Sequence, residues 1–311
     1  MPEVICVGIL VADVIGRPIE KVPLAGELAL VESITPHVGG CAANTGIGLR
    51  RLGVDTAVVG AVGRDGFGDF VRQALRDEGM DVSGIKVKEE PTSSTMVLVR
   101  ADGERTFLHC VGANAALHYA DFDASTLEAV RVLHIAGHGL MPAFDGRPCA
   151  DLLAEAQKRG VLTSLDTAGS PDALWRERLM ETLPFLDFFV PSLHEVRQLF
   201  PDCETPESIV GRLLDEGVGT VALKMGEAGS YARNQSGEIA WAAALPVTAV
   251  DATGAGDAFA AGFLASTLRG LSLEMCLKMG NATGACCVSA VGTVTGLRDW
   301  DSTFALLEEK S

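Results

Sequence analysis

The stretch that decides the fold is Val250-Asp251-Ala252-Thr253-Gly254-Ala255-Gly256-Asp257-Ala258-Phe259. The residues before it, Ala240 to Val250, form an apolar run that reads as a buried strand. After it, Phe259, Gly262, Phe263 and Leu264 recur at helical spacing, which predicts a helix over 257–268. A turn of small residues therefore opens a helix. The first N–H groups of a helix lack intrahelical partners, and the helix dipole adds partial positive charge there. Gly254, Ala255 and Gly256 carry almost no side chain, so an anion, most naturally a phosphate, can rest on their amides. Asp257 stands beside this cradle, where a carboxylate is a poor neighbour for a ground-state phosphate. Its place makes sense if it takes a proton from an attacking hydroxyl while the amides hold the developing charge. For a bare G-x-G-D the plainer reading, an acidic residue favoured by the dipole, is the better one. Asp251, six residues earlier, and Thr253 between them shift the balance toward chemistry.

Asp251 to Asp257 resembles the C-terminal signature of the ribokinase-like (PfkB-type) carbohydrate kinases, D-T-x-G-A-G-D, with Ala252 departing from the commonest residue. Near the N-terminus, Gly39-Gly40-Cys41-Ala42-Ala43-Asn44 matches a second signature of that family, a GG-x-x-x-N turn opening a helix. The two stand in the family's order, and weaker similarity covers nearly the whole chain. The resemblance implies a ribokinase-like α/β fold: a mostly parallel sheet with helices on both faces, plus a small β-sheet lid.

Composition narrows the partners. The chain has 311 residues, a hydrophobic fraction of 48% and a net charge of −16. That length suits one large α/β domain, taken here as 1–311. The acidic balance argues against nucleic acid and against an anionic membrane surface, since both need a basic footprint. Eight cysteines with no C-x-x-C pair read as buried free thiols in a reducing, cytoplasmic setting. Met1-Pro2-Glu3 lacks the basic start of a signal peptide, and no apolar run approaches the ~20 residues of a membrane helix.

Along the chain, Val4–Gly8 reads as the first parallel strand. Asp13 follows, and it is either a turn residue or a ligand group at a strand's carboxyl end. Residues 14–38 contain three prolines and are no helix; β-type pieces fall at 14–19 and 30–35. Two more, 95–100 and 105–110, flank Asp102-Gly103, a hairpin signal. These four predict a small sheet with strands within 13–38 and 94–111. Its apolar face needs a partner, so a homodimer through the lid is plausible. Further β and α segments alternate: strands near 56–62, 130–136, 162–166, 186–190 and 219–224, and helices near 66–78 and 273–291. The glycines of Gly63-Arg64-Asp65-Gly66-Phe67-Gly68 lack the order of a dinucleotide site, and no G-x-x-x-x-G-K-[ST] loop occurs. Any phosphate therefore falls to the Gly254 turn.

The remaining roles are what the resemblance implies. Asp13, Gly40 and Asn44 would hold the sugar. His109, near the end of the lid hairpin, and Asn114, after the last lid strand, would face it. Ser192 and Glu195 match the family's Asn-x-x-Glu, with Ser in place of Asn, and would organise Mg2+ and ATP phosphates. Lys224, Gly226 and Gly229 would lie under the nucleotide, and Asn281 and Gly284 would line the adenine. A monovalent cation, K+, would sit near Asp251, Thr253, Cys287, Ala290 and Gly292, held largely by backbone carbonyls. The expected function is ATP-dependent phosphorylation of a sugar hydroxyl, with Asp257 as base and the Gly254, Ala255 and Gly256 amides stabilising the transferring group. Alternatives are a nucleoside kinase and a non-catalytic sugar- or nucleotide-binding protein of the same fold. Cys41 and Ala42, where phosphosugar kinases tend to carry a Lys, weaken a phosphorylated acceptor; His109, where acid-sugar kinases tend to carry an Arg, weakens a sugar acid.

Overall fold

The computed structural model describes residues 2–101, 104–170 and 172–309. Its strands, in chain order, are β1 (Val4–Gly8), β2 (Val11–Arg17), β3 (Ser33–Gly39), β4 (Thr56–Gly63), β5 (Ile85–Lys88), β6 (Ser94–Val99), β7 (Arg105–Cys110), β8 (Val132–His138), β9 (Leu162–Thr167), β10 (Phe188–Phe189), β11 (Thr220–Lys224), β12 (Ser230–Asn234) and β13 (Ile239–Ala242). The helices are α1 (Cys41–Arg51), α2 (Gly66–Asp77), α3 (Arg147–Lys158), α4 (Trp175–Thr182), α5 (Leu193–Leu199), α6 (Pro206–Asp215), α7 (Ala255–Leu268), α8 (Leu273–Val288) and α9 (Trp300–Glu309).

Nine strands form one sheet in the order β13-β12-β11-β10-β9-β8-β1-β4-β5. From β5 through β11 every pairing is parallel, and only β12 and β13 run antiparallel at the edge. The alternation of β1 explains the two-sided core. Ile5 and Val7 join a cluster with Leu152 of α3, Leu179 of α4, Val196 of α5 and Leu213 of α6. Val4 and Cys6 point the other way and join Ile47 of α1, Leu75 of α2, Phe263 of α7 and Leu277 of α8. Helices thus cover both faces, and the sheet's carboxyl edge is left as the place for a site.

The second sheet has four strands in the order β3-β2-β6-β7. It contains the four predicted lid strands, but the first pair is displaced. β2 begins at Val11 and so contains Asp13, which pairs in register with His37 of β3. The Asp102-Gly103 hairpin tip lies outside the described residues. A second difference falls before the signature turn. The strand expected over 240–250 ends at Ala242, and Val250 is half exposed. There the Val250 and Asp251 N–H groups donate to the Val288 carbonyl, at 2.7 and 3.1 Å, so the chain is held by the end of α8 and not by a neighbouring strand.

Candidate active site

Gly254 has φ +80° and ψ −1°, a left-handed conformation open to glycine. A Cβ there would lie 2.9 Å from the Cβ and carbonyl oxygen of Thr293. The turn therefore packs directly on the 292–293 loop, and α7 begins at the next residue. Asp257, in the first turn of α7, is buried. Asn44 of α1 donates its side-chain N–H to Asp257 Oδ2 at 2.8 Å, which joins the two sequence signatures across 213 residues. Gly40 makes this approach possible. Its φ is +92°, and a Cβ would lie 2.4 Å from the Ile9 carbonyl oxygen, so α1 starts hard against the end of β1. Burial pushes the Asp257 carboxyl above the ordinary carboxylate range, while Asn44 and Lys224 pull it partway back. A carboxylate shifted in this direction is a better proton acceptor at neutral pH.

Asp257 opens onto a cavity of about 980 Å³ between the Gly254 turn and the small sheet. Asp13, Gly40, Asn44 and His109 line it, as do Asp251, Thr253 and Gly254. Gly39 clears space for Asp13, since a Cβ there would lie 2.1 Å from Asp13 Oδ2. Burial raises the Asp13 carboxyl, tempered by Thr95 and His37. His109 Nδ1 shares a 3.1 Å hydrogen bond with the Thr95 hydroxyl, and burial lowers its pKa, which favours the neutral ring. Asn114 departs from the expected arrangement. Its Oδ1 accepts the Leu10 N–H at 3.1 Å and its Nδ2 donates to the Leu10 carbonyl at 3.0 Å. Its amide is spent clamping the link between β1 and β2, and it does not line the cavity.

The residues expected on the nucleotide side gather around the start of α7 from the β11–β13 edge, outside that cavity. Lys224 Nζ lies 2.5 Å from Asp166 Oδ2; Asp166 is buried and Lys224 largely so. A Cβ on Gly256 would meet that ammonium at 3.0 Å, so a positive charge stands at the glycine turn. Burial would lower the Lys224 pKa, but Asp166 and Glu195 more than offset it and keep the ammonium charged. Burial pushes the Asp166 carboxyl up to about 7 against the pull of Lys224. Ser192 caps α5: the Glu195 N–H donates to its hydroxyl at 3.3 Å, while its own N–H and hydroxyl donate to Glu195 Oε2 at 3.0 and 2.5 Å. Gly226 and Gly229 form the left-handed turn after β11. Asn281 donates to the Ala242 and Ala243 carbonyls, both at 3.0 Å, and Gly284 packs toward the Ala255 carbonyl.

Asp251 is the most tightly held member. Its carboxylate accepts the Thr253 and Gly292 N–H groups, each at 2.8 Å, and it pairs with the Arg105 guanidinium. The Cys287 thiol donates to the Thr253 and Thr293 carbonyls at 3.4 and 3.1 Å, and the Ala290 N–H donates to the Cys287 carbonyl at 3.4 Å. Of the groups assigned to a monovalent cation, the Asp251 carboxylate and the Thr253 and Cys287 carbonyls are thus already partnered within the chain. Three contributors escaped the sequence reading. Cys41 was legible only as a missing lysine, yet it lines the cavity. Asp166 was visible at a strand end, but its pairing with Lys224 was not. Arg105 gave no signal, because its partner lies 146 residues away.

The family model for pfkB family carbohydrate kinases matches residues 1–300. The chain belongs to this family, whose members are ATP-dependent phosphotransferases with an alcohol acceptor. It is 29% identical over 286 residues to the 2-dehydro-3-deoxygluconokinase of Bacillus subtilis, covering 88% of this chain and 87% of that one. It is 30% identical over 262 residues to a nucleoside kinase of Methanothermobacter thermautotrophicus, covering 84% and 81%. Arabidopsis thaliana ribokinase complexed with ribose and ATP superposes with a TM-score of 0.85 at 27% identity, covering 99% of both chains. An E. coli protein of the ribokinase II type, in complex with ATP and Mg2+, gives 0.86 at 26% identity, covering 99% of this chain and 100% of that one. Among the described residues no helix is long and apolar enough to cross a membrane.

Proposed function

We propose that this protein transfers the γ-phosphoryl group of ATP to a hydroxyl of a small sugar held in the cavity beneath the small sheet. The observation that carries the reading is Asp257, a buried carboxylate tied to Asn44 that opens on that cavity beside the Gly254 turn. Asp13, Asn44 and the Gly40 backbone hold and orient the acceptor. Asp257 takes the proton of the attacking hydroxyl at a carboxylate oxygen. The N–H groups of Gly254, Ala255 and Gly256 face the charge that develops on the transferring group, and the Lys224 ammonium adds to their field. Bound with ATP, Mg2+ would neutralise phosphate charge, and Glu195 and Ser192 would hold it. Gly226, Gly229, Asn281 and Gly284 shape the nucleotide side. The Asp251 carboxylate, which would face a monovalent cation, already accepts three donors within the chain.

The apolar side chains Ile15, Val97 and Phe107 on the cavity's roof also suit a planar base, which supports a nucleoside as second acceptor class. ADP release with ATP and Mg2+ against neutral sugars, sugar acids and nucleosides decides between them. Asp257→Asn is expected to lower kcat by about 10³ on whichever acceptor works, with ATP still bound. Full turnover by that variant would end the reading of Asp257 as base. The outer face of the small sheet presents Ile34, Met96 and Leu108, each more than half exposed, and a second copy of the chain is its proposed cover.

A further inference from the structure

The turn that would hold a phosphate has a carboxylate at its back. Asp251 lies three residues before Gly254, and its side chain is 3% exposed. An uncompensated buried carboxylate there would repel the anion that the turn's amides attract. The compensation is within the chain. One Arg105 Nη contacts both Asp251 Oδ1 and the Thr253 hydroxyl, and the Arg105 side chain is itself only 17% exposed. The Gly292 and Thr253 N–H groups complete the compensation by donating to the same carboxylate. The other cation near the turn, Lys224, is committed to Asp166. A guanidinium keeps its charge at every working pH and is weakly hydrated, so it suits a largely buried pairing of this kind.

The opposite side of the turn agrees. The carbonyls of Thr253 and Thr293 face the Cys287 thiol. That thiol donates to oxygens that would otherwise point at a cation.

We propose that Arg105 is the resident counter-charge of the phosphate turn. It occupies the role that a bound monovalent cation would fill, and it positions the Gly254–Gly256 amides through Asp251 and Thr253. The proposal rests on the reading of that turn as the phosphate site. Arg105 is the first residue of β7, so the charge is delivered by the small sheet and not drawn from solution.

The test compares the whole protein in potassium chloride and in choline chloride at equal ionic strength. Native protein is expected to keep its thermal midpoint, ATP affinity and turnover in both salts to within about twofold. Arg105→Gln is expected to bind ATP about tenfold more weakly in choline and to regain part of that affinity in potassium, which can enter the vacated place at Asp251. Arg105→Lys keeps the charge and is expected to need no potassium. A native enzyme whose ATP affinity or turnover rises more than about fivefold with potassium overturns the proposal, as does Arg105→Gln with native affinity in choline. If Arg105→Gln does not fold, the native and Arg105→Lys arms still decide. ATP affinity and thermal midpoint need no acceptor, so failure of the kinase reading would show separately, as ATP bound with no ADP formed on any acceptor.

Discussion

The two sheets meet at one cavity but are covered in opposite ways. In the large sheet, every residue of β1 and β4 is buried, and helices pack both faces. In the small sheet, β7 is exposed along nearly its whole length, and one face looks into the cavity while the other lies open. A sheet buried on both sides cannot shift a strand without opening its core, so it makes a rigid floor. A sheet covered on one side has room to vary its residues and its position. The groups proposed for chemistry, Asp257, the Gly254 turn and Lys224, all stand on the floor. Asp13, His109 and Phe107, which would choose and enclose the acceptor, stand on the small sheet, as does Arg105, which reaches from it to the phosphate turn.

Substitutions should separate the two halves, with the largest effects on the floor. Lys224→Met leaves Asp166 buried without its partner and is expected to cost on the order of 3 kcal/mol of stability, measured by denaturant unfolding, as well as most of the turnover. Adding Asp166→Asn should recover much of that stability and none of the turnover. A double variant as unstable as the single one would mean the pair is not what the floor depends on. Next in size is Gly254→Ala, which forces a Cβ to within 2.9 Å of Thr293 at a positive φ. A stability loss of about 1–3 kcal/mol is expected, with turnover down at least ~10-fold because the amides no longer line up.

Asn44→Ala tests how the floor tunes its base. Asn44 donates to the Asp257 carboxylate and so favours the ionised form. Its removal raises a pKa that burial has already raised. The active form is the deprotonated one, so activity is lost as pH falls through that pKa. The acid limb of kcat/KM should therefore move to higher pH in the variant, and an unmoved limb would detach Asn44 from the base. The smallest effect is expected at the far side of the small sheet. Met96→Glu with Leu108→Glu should change kcat by less than about twofold while turning the proposed dimer into a monomer in sedimentation. A kcat loss as large as that of Gly254→Ala would erase the contrast between floor and roof.

The local features were legible because each is encoded within a few residues. Gly254 to Asp257 announce a helix start by small side chains followed by apolar spacing, and Gly40 to Asn44 do the same. The short, nearly continuous runs of apolar and small residues in β1, β4 and β8 announce buried parallel strands. The strand expected over 240–250 stopped short at Ala242. Beyond Ala242 the segment is mostly exposed, and at its end the N–H groups of Val250 and Asp251 are taken by the end of α8. What the sequence determined by itself was the order of elements and the chemical types at the glycine turn. Only the tertiary structure decided the pairings: Asn44 with Asp257 across 213 residues, Arg105 with Thr253 across 148, Lys224 with Asp166 across 58, and Asn114 turned away from the cavity to clamp Leu10. Hydrogen bonds and charges act through space, and the distance between two such groups is set by how the strands are ordered in the sheets, which no short stretch of the chain contains.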